Sequence, residues 1–171
     1  MRNRALIIVC IMLFLNCSRD HGINHQSEQG HAPDFYLEDT NHQRFYLNQQ
    51  RGKRVVIVFW VSWCKVCKQY LNALEKINAE LKEKDITLVS IVIDPENTDT
   101  LHELLSTSIY VSYPILLDRK RTVMEKFNVK EMPTTLITGP HNEIVITKKG
   151  YNLSTLTQIQ TTLNLLSEDE K

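Results

Sequence analysis

Two cysteines, Cys64 and Cys67, stand three residues apart directly after a run of apolar residues at 55–61. The run is rich in β-branched residues and predicts a buried strand, and the residues after the pair, 68–84, predict an amphipathic helix. The pair therefore lies where a strand passes into a helix N-terminus, and the free N–H groups and helix dipole there stabilise an anion. Because the thiolate is the reactive form of cysteine, this placement indicates redox chemistry.

The two cysteines are expected to have different roles. Their spacing puts both sulfurs on one side of the first helical turn, close enough to form a disulfide. Cys64, at the exposed end of the helix, is expected to be the attacking thiolate, and the charge of Lys65 favours that thiolate further. Cys67, one turn further in, is expected to be more buried and to resolve a mixed disulfide formed on Cys64.

The N-terminal residues have the composition of an export signal. Arg2 and Arg4 precede an apolar run at 5–15, which is shorter than the roughly 20 residues that a membrane-spanning helix needs. The run leads to Cys17, and an apolar stretch that ends in a cysteine resembles a bacterial lipoprotein signal, whose cysteine becomes the lipidated first residue. We therefore predict a lipoprotein-type signal at 1–17 with acylation of Cys17; a plain signal peptide is the alternative.

Export would leave the cysteine pair on a domain outside the cytoplasm. Cys10 falls inside the signal, so with Cys17 acylated the pair contains the only free thiols. A single pair that closes so short a loop contributes little as a structural staple, which favours a working disulfide. Residues 18–32 are polar and predict a flexible tether to the membrane, and the acidic tail at 167–171 is predicted to fray.

Composition indicates one ordinary globular domain, which we place at 33–166. The chain has 171 residues, 42% of them hydrophobic, which is enough for one real core. The formal net charge is zero, so there is no basic field that would attract nucleic acid.

The pattern of elements predicts an α/β fold with a mixed central sheet flanked by helices. A hairpin around a turn at 39–41 comes first. The remaining strands are predicted at 55–61, 86–93, 115–117, 134–138 and 144–147. The helices are predicted at 68–84, 98–106 and 122–127, followed by a last helix that Ser154 caps and that ends near Leu166.

Two stretches resemble the hallmarks of thioredoxin-like proteins. Residues 59–67 (FWVSWCKVC) are similar to the F-W-x-x-W-C-x-x-C signature, and residues 129–136 (VKEMPTTL) are similar to the V-x-x-x-P-T signature. The resemblance implies a thioredoxin fold over 33–166. It also implies that Pro133 follows a cis peptide bond and, with Met132, lies beside Cys64, where the Met132 main chain could pair with a substrate peptide. Trp63, next to the attacking thiol, is expected to form part of the substrate surface.

The N-terminal β-hairpin extension and a helical insert between Ile93 and Ile115 resemble the membrane-tethered TlpA- and ResA-like thiol–disulfide oxidoreductases. That resemblance implies reduction of disulfides in proteins of the periplasm or cell surface, with cytochrome c maturation among the roles. It also implies re-reduction by a membrane electron donor. No cofactor is expected beyond the Cys64–Cys67 disulfide, and no metal, because a structural zinc site needs four ligands.

The chain departs from these families where they carry acids near the pair. Val58 stands where thioredoxin has a buried aspartate, and Tyr70 stands where ResA-like members often have a glutamate. Proton transfer to or from Cys67 is therefore left to Tyr70, Glu131 or a bound water, and the direction of the reaction stays open.

Two other readings of the sequence remain. One is a peroxidase of the peroxiredoxin type, although Ile57 and Val61 occupy the positions where that signature has Pro and Thr or Ser. The other is a non-enzymatic lipoprotein scaffold on the same fold, which would not need both cysteines and Pro133.

Overall fold

The computed structural model of the chain describes residues 30–94 and 98–168. The predicted signal at 1–17, with Cys17 at its end, lies outside these residues, as does most of the predicted tether. Both therefore stay predictions. None of the helices in the described part of the chain is long and apolar enough to cross a membrane.

A small antiparallel hairpin precedes the main sheet. Its strands are β1 (Tyr36–Glu38) and β2 (Arg44–Tyr46), and a short 3-10 helix, Leu47–Gln50, follows. Asp39 closes the turn, because its side chain accepts hydrogen bonds from the N–H groups of Asn41 and Gln43, each at 2.8 Å. The predicted hairpin extension is thus confirmed.

In the described part of the chain, the main sheet has five strands: β3 (Val55–Trp60), β4 (Thr87–Val92), β5 (Ile115–Leu117), β6 (Thr134–Thr138) and β7 (Ile144–Lys149). Their order is β5-β4-β3-β6-β7, which confirms the predicted mixed α/β class. β3 is central, runs parallel to β4 and runs antiparallel to β6. The helices are α1 (Lys65–Glu83), α2 (Thr98–Thr107), α3 (Thr122–Lys126) and α4 (Leu153–Glu168).

The core lies on both faces of β3, and all six of its residues are fully buried. Successive side chains of a strand point to opposite faces, so Val56, Val58 and Trp60 pack on the α1 side while Val55, Ile57 and Phe59 pack on the other. A strand buried on both faces reads as a continuous apolar run, which is what predicted β3 from the sequence. The apolar face of α1 covers the first side with Leu71, Leu74, Ile77 and Leu81.

Two helix starts differ from the predictions. α1 begins at Lys65 rather than 68, because Cys64 is its N-cap residue and the Cys64 sulfur accepts a hydrogen bond from the Cys67 N–H at 3.1 Å. The prediction that Ser154 caps α4 is wrong. The cap is Asn152, whose Oδ1 accepts from the Thr155 N–H at 3.1 Å. α4 also continues to Glu168, beyond the predicted end.

Residues before the predicted boundary at 33 also belong to the folded domain. The Gly30 carbonyl accepts a hydrogen bond from the Ile144 N–H at 3.0 Å, and the Ala32 N–H donates to the Asn142 carbonyl at 2.7 Å. Ala32 is also buried. The last three residues of the predicted tether therefore belong to the fold, since their backbone pairs with the start of β7.

Candidate active site

The cysteine pair lies where β3 passes into α1: Cys64 ends the connecting loop and Cys67 lies in the first turn of α1. Cys64 and Cys67 form a disulfide with their Cα atoms 5.2 Å apart. The Cys64 N–H donates to the Val61 carbonyl at 3.2 Å, which helps to fix the turn. Cys64 is partly exposed and Cys67 is fully buried, in the order expected for an attacking and a resolving thiol.

The second predicted segment, around Pro133, reaches the same place. The Met132–Pro133 peptide bond is cis, as the family resemblance implied. Pro133 is buried at the start of β6, and its carbonyl accepts a hydrogen bond from the Gly150 N–H at 2.7 Å. Gly150 has φ of +72°, a conformation that glycine adopts without strain. The structure thus places Met132 in one groove with Cys64.

That groove has a volume of about 650 Å³ and opens beside Cys64. Its walls are mainly apolar and are formed by Val61, Trp63, Ile93, Met124, Val129 and Met132. The Trp63 side chain is 78% exposed, so it stands at the surface as predicted rather than in the core. Three charged residues complete the lining: Asp94, Arg121 and Lys130.

Asp94 is tied to the loop that carries the cysteines. Its two carboxylate oxygens accept hydrogen bonds from the N–H and the hydroxyl of Ser62, at 2.8 and 2.7 Å. Ser62 lies two residues before Cys64, so these two hydrogen bonds anchor the loop before Cys64 to the segment that follows β4. Sequence reasoning missed this contact, although a signal existed: the C-terminal ends of parallel strands meet at one edge of a sheet, where sites form.

The inner side of the pair is apolar. Val58, which is fully buried, lies in the same cluster as Cys67. The buried carboxylates of the described residues are Asp39 in the hairpin turn and Asp118, which accepts a hydrogen bond from the Met124 N–H at the start of α3. Both carboxylates form hydrogen bonds with backbone N–H groups in other parts of the fold, so neither lies in the interior beneath Cys67.

Tyr70 supplies the polar group of this interior. Its hydroxyl forms a buried hydrogen bond of 2.8 Å with the Thr135 hydroxyl, and its ring stacks on Tyr151 at 4.6 Å. Burial raises the pKa of Tyr70 far above its usual value, so the phenol stays neutral at physiological pH. Tyr70 can therefore donate a hydrogen bond but cannot act as a base there. Its contact with Thr135 fastens α1 to β6.

Glu131, the other predicted proton-transfer candidate, points to the surface. Its carboxylate forms an ion pair with Lys149 at 3.0 Å, and both side chains are 59% exposed. Among the described residues, no group of three or more His, Cys, Asp or Glu side chains could hold a metal ion.

Comparisons with known proteins agree with this architecture. Residues 29–147 match the AhpC/TSA family. The thiol-disulfide oxidoreductase ResA of Bacillus subtilis (strain 168) is 29% identical, over 99% of this chain and 97% of that protein.

Two solved structures show the same fold. A protein from Chlorobium tepidum, described as a thiol:disulfide interchange protein DsbE, has a TM-score of 0.73 at 22% identity and covers 82% of this chain and 97% of its own. The exposed lipoprotein thioredoxin Etrx1 of Streptococcus pneumoniae strain TIGR4 has a TM-score of 0.67 at 24% identity, over 77% and 98% of the two chains. The family match spans well over half of the sequence, so the chain belongs to the AhpC/TSA family of thioredoxin-like proteins.

Proposed function

We propose that the protein is an exported thiol–disulfide oxidoreductase that reduces disulfides of proteins outside the cytoplasm. One observation carries the proposal: a partly exposed Cys64, disulfide-bonded to a buried Cys67 at a helix N-terminus, opens onto a groove that Met132 also lines. The name of the Bacillus subtilis relative, a thiol-disulfide oxidoreductase, supports the same activity.

The reaction uses the reduced pair. The Cys64 thiolate attacks one sulfur of the substrate disulfide, that S–S bond breaks, and the departing substrate sulfur takes up a proton. A mixed disulfide now joins Cys64 to the substrate. Cys67 loses its proton and attacks the Cys64 sulfur, which closes the Cys64–Cys67 disulfide and releases the second substrate thiol. Two electrons have passed from the pair to the substrate, and the structure corresponds to the oxidised product.

Different residues around the cysteine pair serve substrate binding and proton transfer. The first turn of α1 favours the Cys64 thiolate through its free N–H groups and dipole. The Met132 main chain and the exposed Trp63 ring form the surface that a substrate segment meets. Because Tyr70 stays neutral and Glu131 is paired with Lys149, the proton of Cys67 passes to water or to the departing substrate sulfur.

The location is part of the proposal. The N-terminal signal exports the chain, the acylated Cys17 anchors it in a membrane, and a membrane electron donor returns the Cys64–Cys67 disulfide to the dithiol. Metabolic labelling with palmitate tests the anchor, because labelling should disappear in a Cys17→Ala variant. Unchanged labelling of that variant would refute lipidation at Cys17.

The activity is tested by reduction of a protein disulfide with dithiothreitol as the electron source. The purified full-length protein should accelerate the reaction, Cys64→Ser should remove the acceleration, and Cys17→Ser, which keeps the pair, should not. Equal rates for the wild type and Cys64→Ser would sink the proposal.

The alternative function, a peroxidase of the peroxiredoxin type, is tested by giving the same samples hydrogen peroxide. We expect little consumption, because Ile57 and Val61 are buried apolar residues that offer no hydroxyl near Cys64.

A further inference from the structure

Two cations line the groove beside Cys64, and neither forms an ion pair within the part of the chain that the structure describes. Arg121 and Lys130 are both exposed, and within the described ranges no carboxylate lies at ion-pair distance from either. The Arg121 Nε–H donates to the Ile93 carbonyl at 3.3 Å, which holds the guanidinium at the groove wall. These positive charges are therefore available to a bound segment.

Two acidic residues of the described chain lie close to these cations in space or in sequence. Asp94 lines the groove and keeps its negative charge, with both oxygens accepting hydrogen bonds from Ser62, so the lining carries two cations, Arg121 and Lys130, against one anion. Glu131 stands between Lys130 and Met132 in the chain, and its carboxylate pairs with Lys149. Lys65, next to Cys64 in the chain, is exposed and adds a further positive charge close to the pair.

The rest of the groove suits an apolar side chain. Val61, Met124 and Val129 come from three different segments and form its apolar wall. A substrate segment that reaches Cys64 thus meets an apolar surface whose charged rim is net positive. Charged surfaces of this kind act mainly on the rate of encounter and on the choice between partners.

We propose that the groove selects disulfides whose cysteine is flanked by acidic residues, with an apolar side chain close by. The flanking carboxylates would lie against Arg121 and Lys130, and the apolar side chain would enter the wall between Val61 and Val129. The occupant is an extended acidic segment of a substrate protein. This inference rests on the proposed oxidoreductase activity and specifies its substrate class.

Two synthetic peptides test the selection. They carry the same disulfide-bonded loop and differ only in the residues beside one cysteine, which are Asp and Glu in one peptide and Lys and Arg in the other. Pre-reduced full-length protein is mixed with each peptide in a single turnover, and the acid-quenched products are followed by mass spectrometry. The acidic peptide should react about tenfold faster at low ionic strength, and the difference should shrink in about 0.5 M salt, which screens exposed charges.

Charge reversal localises the effect. In Arg121→Glu/Lys130→Glu the preference should invert, so that the basic peptide reacts faster. The matched control is Lys76→Glu/Lys82→Glu, which makes the same change in net charge at exposed positions further along α1 and should keep the preference for the acidic peptide.

Hydroxyethyl disulfide, which has no flanking residues and no charge, separates the proposed oxidoreductase activity from the proposed selectivity for acidic segments. If the wild type does not reduce it, the proposed activity itself fails, and the selectivity with it. If all variants reduce it at similar rates but the wild type does not distinguish the two peptides, the activity stands and the acidic selection is overturned. A preference that also inverts in the Lys76/Lys82 control would overturn the assignment to this groove.

Discussion

The two sides of the Cys64–Cys67 disulfide face unlike surroundings. On the outer side, Cys64 is partly exposed beside Trp63 and a groove that two cations and one carboxylate line. On the inner side, Cys67 is fully buried in a cluster with Val58, where the Tyr70 hydroxyl bonded to Thr135 is neutral. The contrast teaches that charge in this site is concentrated where a substrate arrives, and that the interior holds the pair in place through packing and a neutral hydrogen bond.

Two tryptophans three residues apart give the largest expected difference between the sides. Trp60 is fully buried and Trp63 is 78% exposed. Trp60→Ala should lower the free energy of unfolding by roughly 3–5 kcal/mol, because it leaves a cavity. Trp63→Ala should cost less than about 0.5 kcal/mol and instead raise KM for a peptide disulfide. Urea denaturation and steady-state kinetics measure both, and a similar loss of stability in the two variants would contradict the contrast.

An acid placed beneath the pair tests how apolar the inner side is. Val58→Asp should lower the free energy of unfolding by roughly 2–4 kcal/mol, since a carboxyl group would be buried at a fully inaccessible position. Burial would raise the pKa of the introduced carboxyl above its unfolded value, so the folded state would bind its proton more tightly. The loss should therefore be smaller near pH 4 and grow as the pH rises.

The matched control for this substitution is Val58→Asn, which has a similar shape and polarity but does not ionise. Its loss of stability should not follow the titration of a carboxyl group. Equal pH dependence of the two variants, measured by urea denaturation between pH 4 and pH 8, would show that ionisation at this position is not the cause.

The central features of the site could be predicted because their signals are local in sequence. The spacing of Cys64 and Cys67 and the apolar run before them indicate a reactive pair at a strand–helix junction, and the motif around Pro133 supplies the second segment. The exact start of α1 was missed because Cys64 itself acts as the N-cap, a role that its motif does not reveal. Even so, the error moved only the helix boundary and not the pair.

The missed features are long-range contacts. Tyr70 and Thr135 are separated by 65 residues, and Ser62 and Asp94 by 32, so no local pattern connects them. The cations of the groove are equally hidden. Arg121 adopts a left-handed backbone conformation before α3, with φ of +56°. It is far from Cys64 in sequence, and the two residues come together only when the chain folds.

Alkaline pH should lower the free energy of unfolding, because two tyrosines are buried on the inner side of the cysteine pair. Burial raises the pKa of both Tyr70 and Tyr113 above the usual value of about 10. Their folded states hold the proton more tightly, so the stability they contribute is present below about pH 10 and is lost as the pH rises further. Between pH 9 and pH 11, each of these two tyrosines should lower the free energy of unfolding by about 1 kcal/mol. The Tyr70→Phe/Tyr113→Phe variant should lose less over the same range; an identical loss would refute this origin.

Two threonines on β6 test the hydrogen bond of the Tyr70 hydroxyl, with a smaller expected effect on stability. Both are fully buried, but Thr135 bonds the Tyr70 hydroxyl, whereas Thr138 has no hydrogen-bond partner for its hydroxyl within the described part of the chain. Thr135→Val should lower the unfolding free energy by about 1 kcal/mol, because it leaves the Tyr70 hydroxyl unpaired. Thr138→Val should be neutral or stabilising. Equal effects in thermal denaturation would mean that the Tyr70–Thr135 bond contributes nothing.

The most direct test of the account is to trap the reaction halfway. A full-length Cys67→Ala variant, reduced and then mixed with a disulfide-bonded peptide, should accumulate a mixed disulfide on Cys64, because the thiol that releases the substrate is gone. The Cys64→Ala variant, which keeps only the buried thiol of the pair, should accumulate little under the same conditions. Mass spectrometry of the intact and digested protein identifies the adduct and its position. Equal trapping by the two variants, or an adduct that forms mainly on Cys67, would contradict the assignment of Cys64 as the attacking thiol.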